Sequence, residues 1–254
     1  MTPADDELAI NQRAWDVVAP KYAGGCALPN WGPFGECRGL DLLGPLKGAA
    51  VMEVGCGSGH SIARVIQLGA ARVYGIDFST TQIALATELN RAQIDAGRVH
   101  LIQAPMEQPL DFRDIDVIFS IQALGWTRDP AATFCNLASY LKAGGRLVWS
   151  WGHPLFDKIL YDDGKLVLRD SYFNQKQSQF TGRWSGSDGA IIQTRTIATW
   201  FRYLKGAGFT VREFLEPEAE TLPDSAHDPS RYYSEVKVGA VPCTIVFVCE
   251  RDPV

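Results

Sequence analysis

From residue 51 onward, short apolar runs alternate with segments of helical length, and few architectures can accommodate that pattern. The runs cover residues 51–54, 73–76, 99–102, 117–121 and 146–151. Strands that read as nearly continuous apolar stretches are buried on both faces, so the pattern predicts an α/β domain with a doubly wound, mostly parallel sheet and helices on both sides. Upstream, Leu8, Trp15 and Val18 stand at helix spacing with Pro20 after them, which predicts an amphipathic helix over residues 5–19. The Gly/Pro/aromatic stretch "GGCALPNWGPFGECRG" then reads as a loop. After "SWGHP" the alternation lapses, and residues 155–195 are expected to form an insertion over the sheet edge. It resumes with a helix in "TIATWFRYLKGAGF" and strands in "FTVREFLEP" and "PCTIVFVCER". At 254 residues the expectation is one domain, 1–254, with residues 1–45 as an N-terminal cap and 155–195 as a pocket-forming insertion.

Charge and composition narrow the function classes. A formal net charge of −5 and the lack of any dense Lys/Arg stretch lead to the expectation of no nucleic-acid partner, because binding phosphates usually requires a basic face. No apolar run approaches the roughly 20 residues needed to cross a bilayer, and "MTPADDELAI" does not read as an export signal. The expectation is a cytoplasmic protein without a membrane partner. Six scattered cysteines then read as reduced thiols, and no C-x-x-C or His/Cys cluster stands at metal-ligand spacing.

The stretch "VMEVGCGSGH" carries the strongest local signal. Gly55, Gly57 and Gly59 follow an apolar strand directly and open a helix, so a ligand can approach backbone amides with no Cβ in the way. Asp77 ends the next strand, where a carboxylate can accept both hydroxyls of a ribose. A dinucleotide fingerprint wants G-x-G-x-x-G, whereas the spacing here is G-x-G-x-G preceded by Glu53.

"EVGCGSG" with "GIDFS" resembles motif I and the following acidic loop of the class I S-adenosylmethionine-dependent methyltransferases. "NQRAWDVVAPKY", "DVIFSIQALGW", "YLKAGGRLVWSWGHP" and "RTIATWFRYLKGAGFTVREFLEP" extend the resemblance over nearly the whole chain, toward the small-molecule branch. The resemblance implies a Rossmann-like sheet of seven strands with the last antiparallel, and S-adenosyl-L-methionine as cofactor. It further implies that Glu53 organises the loop near the amino-acid end of the cofactor and that Gly55, Cys56, Gly57 and Gly59 pass beneath it. Asp77 would bind the ribose and Phe78 would sit against the adenine. Many relatives carry an acid after the third strand that recognises the adenine amine. Pro105 stands there in "QAPME", leaving Met106 and Glu107 for adenine. Ser120 and Gln122 fall beside the cofactor after the fourth strand, and Tyr22 matches a tyrosine that closes over the transfer site.

For the acceptor, the family offers no universal catalytic residue. His153 follows the fifth strand and is either a general base or a loop histidine bonded to backbone. His60, at a helix start, reads as lining or ordering the cofactor pocket. Trp31, Phe34, Trp126, Trp149, Trp151, Tyr172, Phe173 and Trp184 form an aromatic set. Those in loops are the better pocket candidates and Trp149 on its strand reads as core. Tyr22, Trp31, Trp126, His153, Tyr172, Trp184 and Arg195 are therefore the expected substrate contacts. The expected acceptor is a small molecule with an aromatic or polycyclic body, such as a specialised metabolite. The rival readings are a dinucleotide oxidoreductase, which the glycine spacing disfavours; nucleic-acid methylation, disfavoured by the acidic charge and by "SIQALGW" lacking the Asn/Asp-Pro-Pro-aromatic pattern of enzymes that methylate base amines; and a cofactor-binding cyclase or binding module that transfers nothing.

Overall fold

The computed structural model describes residues 3–24, 27–34, 41–180 and 189–253. Eleven strands are present among them: β1 (Ala50–Val54), β2 (Arg72–Asp77), β3 (Val99–Gln103), β4 (Ile115–Ile121), β5 (Leu141–Gly152), β6 (Ile159–Asp162), β7 (Lys165–Leu168), β8 (Gln177–Phe180), β9 (Ala190–Gln193), β10 (Phe209–Leu215) and β11 (Thr244–Arg251). The helices are α1 (Pro3–Tyr22), α2 (His60–Gln67), α3 (Thr80–Leu89), α4 (Arg91–Asp95), α5 (Pro130–Tyr140), α6 (Ile197–Gly206) and α7 (Glu235–Val238).

Seven strands make one sheet in the order β10-β11-β5-β4-β1-β2-β3. The pairings among β1 to β5 are parallel, and β11 runs antiparallel to both β5 and β10. Alternate residues of each central strand serve opposite faces, as the two-residue repeat of a strand requires. Met52, Ile118, Leu147, Trp149 and Phe247 face one core with Phe134, Trp200 and Leu204 from α5 and α6. Val51, Val117, Val148 and Val246 face the other, with Ile62 and Val65 from α2. Trp149 lies at the centre of the first core, stacked on Phe247 at 4.7 Å and crossing Trp200 at 5.1 Å.

Proline does not stop the first helix where the sequence suggests. Pro20 lies inside α1, which continues to Tyr22. A proline in the final turn forfeits only the single bond its missing N–H would make, a small loss beside the packing of a long helix. That packing is polar as well as apolar. Asp16 Oδ1 accepts from the Ser79 hydroxyl at 2.6 Å and from the Thr81 N–H at 2.9 Å, and the Gln12 amide donates to the Phe78 carbonyl. Asn11 exchanges two hydrogen bonds with the backbone of Ile191 in β9. One helix thus ties the loop after β2 to the 155–195 segment, whose described residues include the antiparallel pairs β6–β7 and β8–β9.

Cys56, Cys135, Cys243 and Cys249 are free thiols, while Cys26 and Cys37 lie outside the described residues. Among the described residues no helix is long and apolar enough to cross a membrane, and no three His, Cys, Asp or Glu side chains gather as for a metal ion.

Candidate active site

Strand order reverses between β1 and β4, and a crevice of about 910 Å³ opens at the carboxyl ends of these strands. Its floor is the glycine loop. The N–H groups of Gly55 and Cys56 donate to the Ile76 carbonyl at 2.7 and 3.0 Å, pinning the loop to β2. Gly55 has φ +71°, and a Cβ there would meet the Ala123 Cβ at 2.2 Å. Glycine is required at that position by conformation and by space.

Asp77 closes the loop from the other side, its Oδ2 accepting from Gly57 N–H and its Oδ1 from Ser79 N–H, both at 2.9 Å. Burial pushes its carboxyl up to about 6, against the downward pull of these backbone bonds and with a further upward push from Asp16. Glu53 lies under the loop. Burial raises its carboxyl well above the ordinary range, a hydrogen bond from Ser61 opposes this, and the charge of Asp77 adds to it. Its Oε2 is buried with no hydrogen-bond partner among the described residues.

Aromatic walls rise above this floor. Trp15 meets Trp126 edge-on at 5.6 Å, and Trp126 meets Trp151 likewise at 5.8 Å. The Trp151 ring lies so close over Gly125 that a Cβ there would come within 1.8 Å of it. Across the crevice stand Phe34, Tyr232 and Tyr233, the Phe34 and Tyr233 rings 5.0 Å apart. The Tyr232 hydroxyl donates to Asp157, and the Lys237 ammonium lies 3.8 Å from the Phe156 ring centre and 4.3 Å from that of Tyr232. His60 joins the lining with its Nδ1 3.0 Å from the Ser58 hydroxyl.

The structure brings Glu53, Gly55, Cys56, Gly57, Asp77, Phe78, Met106, Glu107, Gln122 and Trp126 to this crevice. Other expected residues are elsewhere. Gly59 falls outside the lining and faces Asn90 and Ala86, where a Cβ would meet Asn90 Nδ2 at 2.6 Å. Ser120 is wholly buried and ties β4 to β1 through the Val54 carbonyl at 2.7 Å. Trp31 is core, packed with Leu43 and Ile62, and its carbonyl accepts from Gln122. Tyr172 turns its hydroxyl to the Ile197 N–H at the start of α6. Arg195 is buried against Trp200 and donates to the Thr127 carbonyl at 2.9 Å, holding the turn that carries Trp126. The Tyr22 side chain and Trp184 lie outside the described residues.

His153 is also absent from the lining. Its Nδ1 accepts from the Leu155 N–H at 3.1 Å, so Nε2 carries the proton and donates to Glu216 at 2.7 Å. Burial lowers its pKa, against the upward pull of Glu216. Both of its nitrogens are thus engaged, one by backbone and one by the half-exposed Glu216, away from the crevice lining. Conversely, Asp157, Arg231, Tyr232 and Tyr233 reach the crevice unforeseen. Asp157 belongs to the 155–195 segment expected to form the pocket, whereas Arg231, Tyr232 and Tyr233 come from a stretch without helical or strand periodicity.

Residues 52–149 match the family described as "Methyltransferase domain". A tRNA U34 carboxymethyltransferase of Vibrio cholerae is 34% identical over 111 residues, 44% of this chain and 34% of that protein. Its counterpart in Haemophilus influenzae is 27% identical over 191 residues, 74% of this chain and 53% of that protein. The chain therefore spans only a third to a half of the length of these curated relatives. Among solved structures, an S-adenosylmethionine-dependent methyltransferase from Mesorhizobium loti superposes with a TM-score of 0.66 at 22% identity, covering 83% of this chain and 94% of that one. The tRNA-modifying relatives overturn the expectation that nucleic acid is excluded as a partner. Net charge summed over a chain does not measure what one site on it can bind. The glycine loop, the acid after β2, the sheet order and the matched domain agree: residues 52–149 match a methyltransferase domain, and the fold around them is that of S-adenosylmethionine-dependent methyltransferases.

Proposed function

We propose that the protein transfers a methyl group from S-adenosylmethionine to a flat, ring-bearing acceptor held between the aromatic walls of the crevice. The observation that carries this reading is continuity. One cavity of about 910 Å³ has the glycine loop and Asp77 at its floor and Trp126, Trp151, Phe34 and Tyr233 along its sides.

The floor fits the cofactor. Gly55 lets the loop take a left-handed turn packed against Ala123, which a Cβ would forbid, and the Glu53 Oε2 is a buried acceptor with no donor among the described residues. When bound, S-adenosylmethionine supplies a methyl group on a sulfonium, the electrophile of the reaction. The residues around it supply alignment and dryness. Ionised Asp77 would hold the ribose, and Glu53 would accept from the cationic amino-acid end, whose charge favours the ionised carboxylate. Trp126 and Trp151 would fix the plane of the acceptor ring, and α1 with Trp15 would close the site against water. Aromatic faces suit such a ring because stacked or edge-on contacts add to simple burial.

A second reading rests on the tRNA-modifying relatives, in which the ring is a nucleobase presented by RNA. A base turned out of its stack between aromatic side chains would use the same walls. Incubating the protein with methyl-tritiated cofactor separates the two. Label in free phenols, indoles or amines supports the first reading, label in total tRNA the second. Label in neither set would contradict transfer to a ring-bearing acceptor.

A further inference from the structure

The four residues Ser79 to Gln82 have the sequence of a reciprocal helix cap. In such a cap the serine side chain accepts from the N–H three residues on, and the glutamine there returns a bond to the serine N–H. Only the first half is made. The Gln82 N–H donates to the Ser79 hydroxyl at 3.1 Å, but the Ser79 N–H is already given to Asp77 Oδ1 at 2.9 Å. The carboxylate at the end of β2 has displaced the glutamine from its ordinary partner.

The released side chain turns to the crevice, which it lines. Gln82 is 5% exposed, and its Oε1 is buried with no hydrogen-bond partner among the described residues. Its amide lies beside Gly57, with Oε1 3.8 Å from where a Cβ on that glycine would stand. Gly57 is also the residue whose N–H is held by Asp77 Oδ2. Two polar heads, one carboxylate and one amide, therefore flank the same loop residue at the crevice floor. A buried amide oxygen without a donor destabilises the free protein, so its retention calls for a reason.

We propose that Gln82 is a cofactor-binding residue, whose amide oxygen accepts a hydrogen bond from a ribose hydroxyl of the bound cofactor beside the one taken by Asp77. The proposal rests on the cofactor reading above. It gives the capping sequence a second use: Asp77 organises the helix start, and the glutamine thereby freed reads the sugar.

Gln82→Met keeps the length of the side chain and removes the amide. The variant is expected to melt at or above the wild-type temperature without ligand, because a buried orphan is gone. Its affinity for S-adenosylhomocysteine by calorimetry is expected to fall about five- to tenfold, the scale of one neutral hydrogen bond. Opposite signs in the two readouts separate ligand binding from packing, which would lower both. The deficit should also vanish for either the 2′-deoxy or the 3′-deoxy analogue of S-adenosylhomocysteine, whichever lacks the hydroxyl that Gln82 holds. Wild-type affinity in the variant, or a deficit that persists with both analogues, would overturn the proposal while leaving the cofactor reading intact. Failure of the wild-type protein to bind S-adenosylhomocysteine would overturn both.

Discussion

Asp77 is buried and yet offers its carboxylate to two backbone N–H groups, a compromise that leaves its pKa at about 6. A carboxyl raised in this way is destabilising when ionised, so the ligand-free protein should gain stability as pH falls through that value. Binding should respond in the opposite direction, because a neutral carboxyl is the weaker acceptor for ribose hydroxyls. Calorimetry with S-adenosylhomocysteine between about pH 7.5 and about pH 5.5 is expected to show affinity falling with pH. Asp77→Asn is expected to bind more weakly by about 1.5–3 kcal/mol near neutral pH and to lose the part of the pH dependence that Asp77 contributes, leaving that of Glu53. An unchanged affinity in that variant would remove the ribose assignment. The place of Asp77 at the crevice was legible because it closes a strand that the apolar pattern predicts. His153 was not, because its partner Glu216 is 63 positions away and nothing local announces it. Its two hydrogen bonds point to a part in stability. His153→Ala is expected to lower unfolding free energy by about 1–3 kcal/mol in denaturant melts and to leave cofactor affinity near wild type.

At the scale of elements, α1 is the piece that joins cofactor loop to acceptor wall. Its Asp16 and Gln12 hold the start of α3 and the loop before it, its Asn11 holds β9, and its Trp15 lines the crevice. Asp16→Ala is expected to destabilise by about 1–2 kcal/mol, the size of a lost helix-start contact, and to speed hydrogen exchange along both α1 and the first turn of α3. Exchange confined to α1 would show that the two are not coupled. The helix itself was readable from Leu8, Trp15 and Val18, but its polar docking was not, since hydrogen bonds to backbone carbonyls and amides carry no sequence pattern. The turn before α5 is a second case. Gly125→Ala places a Cβ in the Trp151 ring and is expected to cost about 1–3 kcal/mol, with a matching change in tryptophan fluorescence as that ring moves. The strain falls on an aromatic side of the crevice away from the glycine loop, so cofactor affinity should be spared.

Across the whole molecule, the alternation of apolar runs and helices was enough to anticipate the sheet, because strands buried on both faces cannot hide their composition. Each run lies within a strand, and the central ones divide their side chains between two cores. The cofactor floor was legible for the same reason, lying at the ends of those strands. Much of the acceptor wall was not. Tyr232 and Tyr233 arrive from the long connection between β10 and β11, and Asp157 from the turn before β6, segments positioned by tertiary packing alone. The crevice at the β1–β4 switch is expected to hold S-adenosylmethionine and not a dinucleotide. Calorimetric titration of the purified protein with S-adenosylhomocysteine, and separately with oxidised nicotinamide dinucleotide, tests it most directly. Micromolar, saturable binding of the first and none of the second is the predicted result. Binding of the dinucleotide alone, or of neither by folded protein, would contradict it.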